Sequence, residues 1–311
     1  MLSYLLLCQL SPFFILDLVR KGFIINEGSQ AIMRKSTREK VNYVFVELGL
    51  IIVSFFMFLP FILAISMSFM EPTEVFSYPP KFFPSSINFK NYITAIQLVP
   101  MGRMLFNSLL VASFTTLGKL ITGTLAAYAF SSFQFKGKNI LFSTLFVTLF
   151  LPAETVMILP LFMLMSNLGW VNTYWALIIP FTASATNTFL FRQHFMTIPR
   201  SLEDAAKIDG ASAMQYFFKV LVPLSGPIIA GAAIINFVYA WNMYLWPLIV
   251  TMQDDMRTVQ VGVKMMISGE SSNNWGVIMA GTLLVALPTL IIFFLLQDLF
   301  VKSLVNSGLK E

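Results

Sequence analysis

The sequence predicts an all-α, polytopic membrane protein with six transmembrane helices. Of its 311 residues, 57% are hydrophobic and 11% are charged, whereas charged residues make up about 25% of a soluble domain. Apolar stretches recur along the chain at a length of about 20 residues, which a helix needs to cross the hydrocarbon core of a bilayer. A simple soluble enzyme is therefore excluded, and membrane spans are the units from which the fold is built.

The apolar runs define six spans in chain order. They lie at residues 44–69, 104–131, 140–165, 173–192, 226–250 and 275–300. Together they form a transmembrane domain at 44–300, followed by a tail at 301–311. An even number of spans places both ends of this domain on the same side of the membrane.

The distribution of basic residues predicts which side that is. Twelve Lys and Arg residues between and beyond the spans fall on one side of the membrane, and five fall on the other. The richer side carries Arg34, Lys35, Arg38, Lys40, Lys136, Lys138, Arg192, Arg200, Lys207, Lys219, Lys302 and Lys310. By the positive-inside rule this side is cytoplasmic, so both termini are expected in the cytoplasm. Topology thus explains the net charge of +5, and a nucleic-acid partner is not expected.

The N-terminal segment, residues 1–43, precedes the first span, and residues 1–32 fit poorly into this scheme. They include Pro12 and Asp17, and they lack the basic start and small-residue cleavage site of a signal peptide. Three interpretations stay open: an interfacial helix, a loosely inserted extra segment, or translated upstream sequence with the true start at Met33.

Two further features limit the chemistry of the chain. The loop 70–103 is rich in proline and aromatic residues, which favours a compact extracytoplasmic cap over a flexible linker. The chain has one cysteine and one histidine, so neither an internal disulfide nor a metal site built on Cys or His clusters is expected.

The loop at 199–224, on the cytoplasmic side, has the signals of two short helices. Ser201 followed by Asp204 has the spacing of a helix N-cap, and Gly210 is placed as a C-terminal stop. Ser212 to Gln215 repeats the capping spacing for a second helix, which Pro223 is expected to end. The predicted unit is helix, glycine turn, helix.

Ser225, Gly226 and Pro227 then supply a cap and a first-turn proline for the fifth span. Ala205 and Ala206 offer a small, close-packing surface on the first short helix. On local features the loop is either a lever that another protein moves or an ordinary amphipathic loop lying on the bilayer.

The spacing of this loop resembles the EAA loop of permease subunits of ATP-binding-cassette importers. That pattern is Glu-Ala-Ala, three residues, Gly, nine residues, Ile-x-Leu-Pro. This chain reads Asp204-Ala205-Ala206, three residues, Gly210, nine residues and Val220-Leu221-Val222-Pro223. Asp replaces Glu and two valines replace Ile and Leu, while the spacing and the proline are intact. The resemblance runs from about residue 40 to the C-terminus and implies the type I importer permease fold, with a cytoplasmic EAA coupling loop, in a bacterial plasma membrane.

Within that superfamily the chain is similar to the carbohydrate-type, maltose permease G-like proteins, and among them to the permeases of sn-glycerol 3-phosphate importers. The similarity is carried by Leu117–Lys119, Ser184–Gln193, Ile208–Ser212 and Tyr239–Leu248. The resemblance implies import of sn-glycerol 3-phosphate or a related glycerophosphodiester. Two alternatives are the same machine carrying a neutral sugar or oligosaccharide and, more remotely, an ion-coupled secondary transporter.

The resemblance also implies the partners that such a permease needs. The chain lacks the Gly-x4-Gly-Lys-Ser/Thr pattern of an ATP-binding loop, so no catalytic residue is expected on it. ATP and Mg would be bound by a homodimeric nucleotide-binding ATPase, beside a second permease subunit and an extracytoplasmic solute-binding protein. The residues expected to couple to the ATPase are Glu203, Asp204, Ala205, Ala206, Asp209, Gly210 and Pro223.

Candidates for the substrate path are polar residues inside the spans, because such residues are costly in lipid and tend to face a cavity. Lys119 lies in span two, Glu154 in span three and Asn187 in span four. Lys119 and Glu154 either pair with each other or with backbone carbonyls, or Lys119 supplies positive potential for an anionic phosphate ester. Snorkelling of the lysine to the membrane surface is a third possibility.

Span five adds side chains that combine an aromatic face or an amide with a hydrogen-bonding tip. They are Tyr239, Trp241, Asn242 and Tyr244. This composition suits contacts with a polyol, but aromatic residues near a span end are also typical of an interfacial belt or of helix packing.

Overall fold

The protein is described by a computed structural model that covers residues 37–150, 157–268 and 274–308, with side chains for 46–150, 157–268 and 274–295. Within those ranges the regular structure is helical and contains no strand. The described residues divide into two compact units, one within residues 1–97 and 266–286 and the other within 98–265 and 287–311. The N-terminal segment 1–32 and Glu154 lie outside the described residues.

The helices are numbered here in chain order. The first seven are α1 Thr37–Ser68, α2 Pro72–Val75, α3 Lys90–Leu98, α4 Met101–Ser132, α5 Lys138–Thr148, α6 Ile158–Asn167 and α7 Tyr174–Ile178. The next seven are α8 Ala185–Thr197, α9 Arg200–Ile208, α10 Ala213–Leu224, α11 Gly226–Trp241, α12 Leu245–Val250, α13 Val259–Ser268 and α14 Trp275–Gly308.

Three helices contain apolar stretches long enough to cross a bilayer. They are Val46–Ser68, Met101–Ser132 and Trp275–Leu295, and they coincide with the first, second and sixth predicted spans. Helices α10 and α11 together form a fourth candidate, bent by 77° between them. The count of six spans stays a prediction, and α14 continues to Gly308, beyond the predicted end of span six.

The fourth predicted span, 173–192, is wrong as a single helix. Helix α7 gives way to a short 3-10 turn at Ile179–Phe181, and α8 begins after Ser184. Pro180 has no N–H to donate to the carbonyl of Ala176, one turn earlier. That carbonyl accepts a hydrogen bond from the Trp246 indole instead, at 2.9 Å, so the proline break is satisfied by a side chain from α12.

Spans three and five are also interrupted. Helix α5 ends at Thr148 and α6 begins at Ile158, so residues 140–165 are not one helix; Pro152 lies between the two. Helix α11 ends at Trp241, and α12 begins only at Leu245. The Asn242 side chain donates to the carbonyl of Val238 at 2.7 Å and thereby closes the end of α11.

In the unit of residues 1–97 and 266–286, the loop after α1 is held by hydrogen bonds. The buried Asn91 amide donates to the carbonyls of Ser68 and Met70 at 2.9 and 2.8 Å. Gly276 lies directly against it, because a Cβ at Gly276 would be 2.6 Å from the Asn91 Nδ2 atom. The loop 70–103 therefore contains α2, α3 and a fixed anchor on the end of α1.

In the other unit, α4 packs against α8 and α11. Helix α4 lies close to α8 and to the turn before α8. A Cβ at Gly118 would lie 2.6 Å from the Thr182 methyl group, and a Cβ at Gly123 would lie 2.9 Å from the Asn187 Cβ. A buried aromatic cluster, which contains Tyr128, Phe191, Phe195 and Phe217, joins the end of α4 to α8 and α10. This packing positions both candidate sites described below.

Candidate functional site: coupling loop and substrate path

The first short helix of the loop, α9, begins two residues earlier than its sequence signals indicate. It starts at Arg200, and Pro199 occupies the cap position with an extended backbone (ψ 131°) and no side-chain cap. Ser201 therefore lies inside the first turn, and its predicted role as N-cap is wrong. A proline at this position already supplies the extended geometry that a cap residue needs, so the serine is not required there.

Gly210 ends α9 as predicted. Its φ is +76°, a left-handed conformation that only glycine adopts without penalty. The N–H of Ala211 bonds the carbonyl of Ala206 at 2.9 Å, and the N–H of Gly210 bonds that of Lys207 at 3.0 Å. These two bonds form a Schellman motif, which satisfies the last carbonyls of the helix.

The second short helix, α10, starts with the predicted capping box. The Ser212 hydroxyl accepts from the N–H of Gln215 at 3.3 Å, and the Gln215 side chain accepts from the N–H of Ser212 at 2.8 Å. The helix then passes through a π-helical turn at Phe217–Leu221 and ends at Leu224. Pro223 thus lies within the last turn, and the predicted end at Pro223 is wrong by one residue.

Ser225 occupies the predicted cap position of α11 but does not cap it with its side chain. Its hydroxyl donates back to the carbonyl of Leu221 at 2.7 Å. The Ser225 hydroxyl thus bonds the last turn of α10 and not the first turn of α11. This bond lies at the bend between the two helices.

Helix α9 presents its residues in two groups. Glu203 is half-buried and pairs with Lys207 at 2.9 Å, while Lys207 also lies 3.8 Å from Asp204. Ala206 is half-buried and packs against the aromatic cluster. The exposed residues of the helix are Arg200, Ser201, Leu202, Asp204, Ala205, Lys207 and Ile208, and Asp209 and Gly210 after it are exposed too. Ile208 is 87% exposed, so α9 carries an uncovered apolar surface beside its charges.

The loop contacts α4 through side chains that the sequence did not identify. The Tyr128 hydroxyl, at the end of α4, donates to the carbonyl of Ala213 at 3.1 Å. The Tyr128 ring lies 5.2 Å from that of Phe217. The start of α10 is therefore packed directly against the end of α4.

Two of the substrate-path candidates, Lys119 and Tyr239, meet between α4 and α11. Lys119 is 8% exposed, and its ammonium lies 4.2 Å from the centre of the Tyr239 ring. An ammonium over an aromatic face is stabilised by the ring quadrupole. The structure thus brings together two candidates from spans two and five.

Buried polar atoms without a hydrogen-bond partner among the described residues lie on α8 and α4. Asn187 is buried, and its Nδ2 atom has no hydrogen-bond partner among the described residues. The same holds for the buried hydroxyls of Thr115 and Thr116, one turn before Lys119 on α4. Buried polar groups without partners are rare and call for water or a ligand. The predicted partnership of Lys119 with Glu154 stays open, because Glu154 lies outside the described residues.

The remaining candidates are engaged within the protein. Trp241 is 1% exposed and stacks on Phe237 with ring centres 5.8 Å apart. The side-chain carbonyl oxygen of Asn242 accepts a hydrogen bond from the Gln260 amide at 3.3 Å. Tyr244 is half-buried between α11 and α12. Sequence reasoning missed Asn107, which is completely buried in α4. The signal that could have identified it is its position as a polar residue inside an apolar span.

Apolar helices joined by a short, rigidly held helix pair define a membrane-embedded transport component. The description "Binding-protein-dependent transport system inner membrane component" matches residues 119–306. The chain belongs to this family.

The relatives extend the match over most of the chain. The sn-glycerol-3-phosphate transport system permease protein UgpE of Pectobacterium atrosepticum is 38% identical over 273 residues, which are 86% of this chain and 95% of the relative. The protein of the same name from Yersinia enterocolitica is 38% identical over 85% of this chain and 95% of the relative. The predicted resemblance to importer permeases is confirmed.

Solved structures support the same fold. A chain of a bacterial ABC transporter involved in the import of the acidic polysaccharide alginate matches with a TM-score of 0.76 and 23% identity, over 85% of this chain and 98% of that one. A second alginate ABC transporter structure, in complex with a periplasmic protein bound to an alginate pentasaccharide, matches with a TM-score of 0.62 and 15% identity. This match covers 83% of this chain and 93% of that one. The predicted ABC permease fold is confirmed.

Proposed function

We propose that the chain is the permease subunit of an ATP-driven, binding-protein-dependent importer that carries sn-glycerol 3-phosphate or a related glycerophosphodiester. The similarity to permeases of that substrate over 86% of the chain carries the proposal. The geometry adds a buried cation at the contact between α4 and α11. A phosphate monoester carries almost two negative charges at neutral pH, and in a low-dielectric path it needs such a cation, whereas a neutral sugar does not.

In this proposal α9 is the coupling helix and docks in a cleft of the partner ATPase. Its exposed residues Leu202, Ala205 and Ile208 offer apolar contacts, and Asp204 and Asp209 offer charges at the rim. ATP and Mg are bound by the homodimeric ATPase, and closure of that dimer moves α9. The aromatic cluster at Tyr128 and Phe217 then passes the movement to α4.

The complete importer contains this chain, a second permease subunit, the ATPase dimer and an extracytoplasmic solute-binding protein. The chain lies in the bacterial inner membrane with both termini in the cytoplasm, as the distribution of its basic residues predicts. Alternating access exposes Lys119, Tyr239 and Asn187 first to the outside and then to the inside.

Uptake of labelled sn-glycerol 3-phosphate by cells in which this gene is deleted and then restored tests the proposal. A labelled neutral disaccharide serves as the parallel cargo. We expect restoration to recover uptake of the phosphate ester alone. Recovery of disaccharide uptake alone would contradict the substrate and leave the importer mechanism in place.

A further inference from the structure

A cavity of about 520 Å³ lies where the end of α4, the start of α5, the end of α8 and the start of α9 meet. The transport path proposed above does not use it. Its charged lining consists of Lys138, Arg192, Arg200, Lys207, Glu203 and Asp204. The cavity is therefore rich in cations, on the side of the membrane that carries the coupling helix.

Of the two carboxylate charges of the lining, one is offset by Lys207. Lys207 pairs with both Glu203 and Asp204, at 2.9 and 3.8 Å. Lys138, Arg192 and Arg200 remain, and among the residues that the structure describes none of these three forms an ion pair with a carboxylate. With four basic and two acidic side chains, the lining has a net formal charge of +2, which favours an anionic occupant.

Two of these cations are held in place by neutral groups. The Lys138 ammonium donates to the carbonyl of Phe133 at 2.7 Å, and the Arg192 Nε–H donates to that of Phe130 at 3.2 Å. The Arg192 guanidinium also lies over the Phe142 ring at 4.1 Å. These contacts fix the position of the positive charges and leave donors on both groups for a ligand.

The charges also act on one another. Burial lowers the pKa of Lys138, and repulsion from Arg192 and Arg200 lowers it further. The three groups thus share one electrostatic environment, which an anion would relieve.

The shape beyond the cavity indicates what kind of anion fits. Asn139 lines the cavity and also a second groove of about 380 Å³, which runs along α5 past Ile140, Ser143, Thr144 and Val147. Thr144 bonds its hydroxyl to the carbonyl of Ile140 at 3.0 Å, so this groove presents little free polarity. Ile140 and Val147 are 73% and 57% exposed. A polar, cationic cavity that continues into an apolar groove on a membrane helix matches an amphiphile with an anionic head.

We propose that this cavity binds the phosphate head group of an anionic glycerophospholipid, with an acyl chain in the groove along α5. Basic pockets at the cytoplasmic ends of membrane helices recognise such head groups. A soluble phosphate ester would fill the cavity and leave the apolar groove empty, which is why the lipid fits better. Because α9 contributes Arg200 to the lining, an occupying lipid touches the coupling helix itself.

The test measures lipid binding to the purified complete transporter, so it does not depend on the identity of the transported substrate. The complex in detergent is titrated with fluorescently labelled phosphatidylglycerol and, separately, with the same label on phosphatidylcholine. We expect phosphatidylglycerol to bind at least about tenfold more tightly, a difference of about 1.4 kcal/mol. The double variant K138Q/R200Q should lose most of this preference.

The variant K136Q is the matched control, because Lys136 is exposed two residues before Lys138 and does not line the cavity; it should keep the preference. The single variant R200Q, at an exposed position, gives a second measurement if the double variant assembles poorly, and it should reduce the preference in part. An undiminished preference in either lining variant would overturn the proposal. So would displacement of the labelled lipid by millimolar inorganic phosphate or sn-glycerol 3-phosphate, which would identify a soluble anion as the occupant.

Discussion

Among single residues, Lys119 carries the strongest link between structure and substrate. A charged side chain at the centre of a membrane helix costs about 2.5–3.5 kcal/mol on insertion scales. A desolvated contact with an aromatic face returns about 2 kcal/mol of that, and the Tyr239 ring lies at the required distance. The ring thus offsets much of the cost of burying the lysine, which lies one turn before Gly123, the residue that Asn187 approaches.

Replacing Lys119 tests whether that charge serves the substrate. Lys119→Met should reduce uptake of sn-glycerol 3-phosphate at least about tenfold, equivalent to about 1.4 kcal/mol, because the path loses its cation. Lys119→Arg keeps the charge and should retain most of the uptake. Initial uptake rates at equal membrane levels check both, and unchanged uptake in the methionine variant would assign Lys119 a structural role.

Replacing Asn107 should lower the stability of the folded protein, because its buried amide makes three hydrogen bonds. Its buried amide donates to the carbonyls of Asp255 and Arg257 at 2.7 and 3.0 Å and accepts from the Tyr174 hydroxyl at 2.7 Å. Asn107→Ala should lower the free energy of unfolding by about 2 kcal/mol or more, since it leaves buried polar groups without partners.

Tyr174→Phe provides the graded control for that change. It removes a single hydrogen bond of Asn107 and should cost about 1 kcal/mol. Thermal unfolding of the detergent-solubilised complex measures both variants. Equal melting temperatures for Asn107→Ala and the unaltered protein would show that the amide does not hold the loop to α4.

At the scale of elements, the junction between α9 and α10 is the part of the chain for which the proposed function predicts a role in coupling. The left-handed Gly210 turns the chain so that the capped start of α10 follows immediately, and both helices rest on one aromatic cluster. No Cβ contact restricts Gly210, since a Cβ there would have nothing within 4 Å. Only the backbone conformation demands the glycine.

Gly210→Val should therefore uncouple ATP hydrolysis from uptake. A β-branched residue in a left-handed conformation costs about 1–2 kcal/mol, which shifts the turn and the docking angle of α9. Gly210→Asn is the matched control, because asparagine tolerates this conformation, and it should transport nearly normally. The ratio of uptake to ATPase activity in the assembled complex is the measurement; full transport by the valine variant at normal membrane levels would refute this role.

The contact of α4 with the segment before α8 makes a second prediction at this scale. Gly118→Ala should destabilise the protein by about 1–3 kcal/mol through overpacking, because the new methyl group would lie 2.6 Å from Cγ2 and 2.8 Å from Cβ of Thr182. The Thr182 side chain has little freedom to move, since its hydroxyl donates to the carbonyl of Ile179 at 2.8 Å.

The same substitution on the same helix should act oppositely at Gly102. A Cβ there meets nothing within 4 Å, so Gly102→Ala should be neutral or stabilise by up to about 1 kcal/mol through helix propensity. Melting temperatures of the two variants give the comparison. If both variants melt alike, close helix packing at Gly118 is not required.

At the scale of the whole molecule, the expected orientation in the membrane rests on charge. Twelve basic residues on the predicted cytoplasmic side against five on the other give the bias. The loops 70–103 and 199–224 are then expected in opposite compartments. That arrangement lets a solute-binding protein and an ATPase engage the same chain.

Reporter fusions test this orientation. Alkaline phosphatase, which is active only outside the cytoplasm, should be active when fused after Ser86 or Asp254 and inactive after Gly137 or Gly210. Green fluorescent protein should give the complementary pattern. Phosphatase activity after Gly210 would reverse the orientation and remove α9 from the ATPase.

The sequence by itself determined the features that depend on neighbouring residues and on composition. Apolar runs identified α1, α4 and α14, and local spacing located the Gly210 turn and the Ser212 cap, because their hydrogen bonds join residues three to five apart. The tertiary structure alone decided where hydroxyls, carbonyls and charges find distant partners. Trp246 satisfies the carbonyl freed by Pro180, and Lys119 meets Tyr239 only because α4 packs on α11. Such pairings depend on how helices pack, and nearly uniform apolar spans carry little periodic pattern that would reveal which of their faces meet.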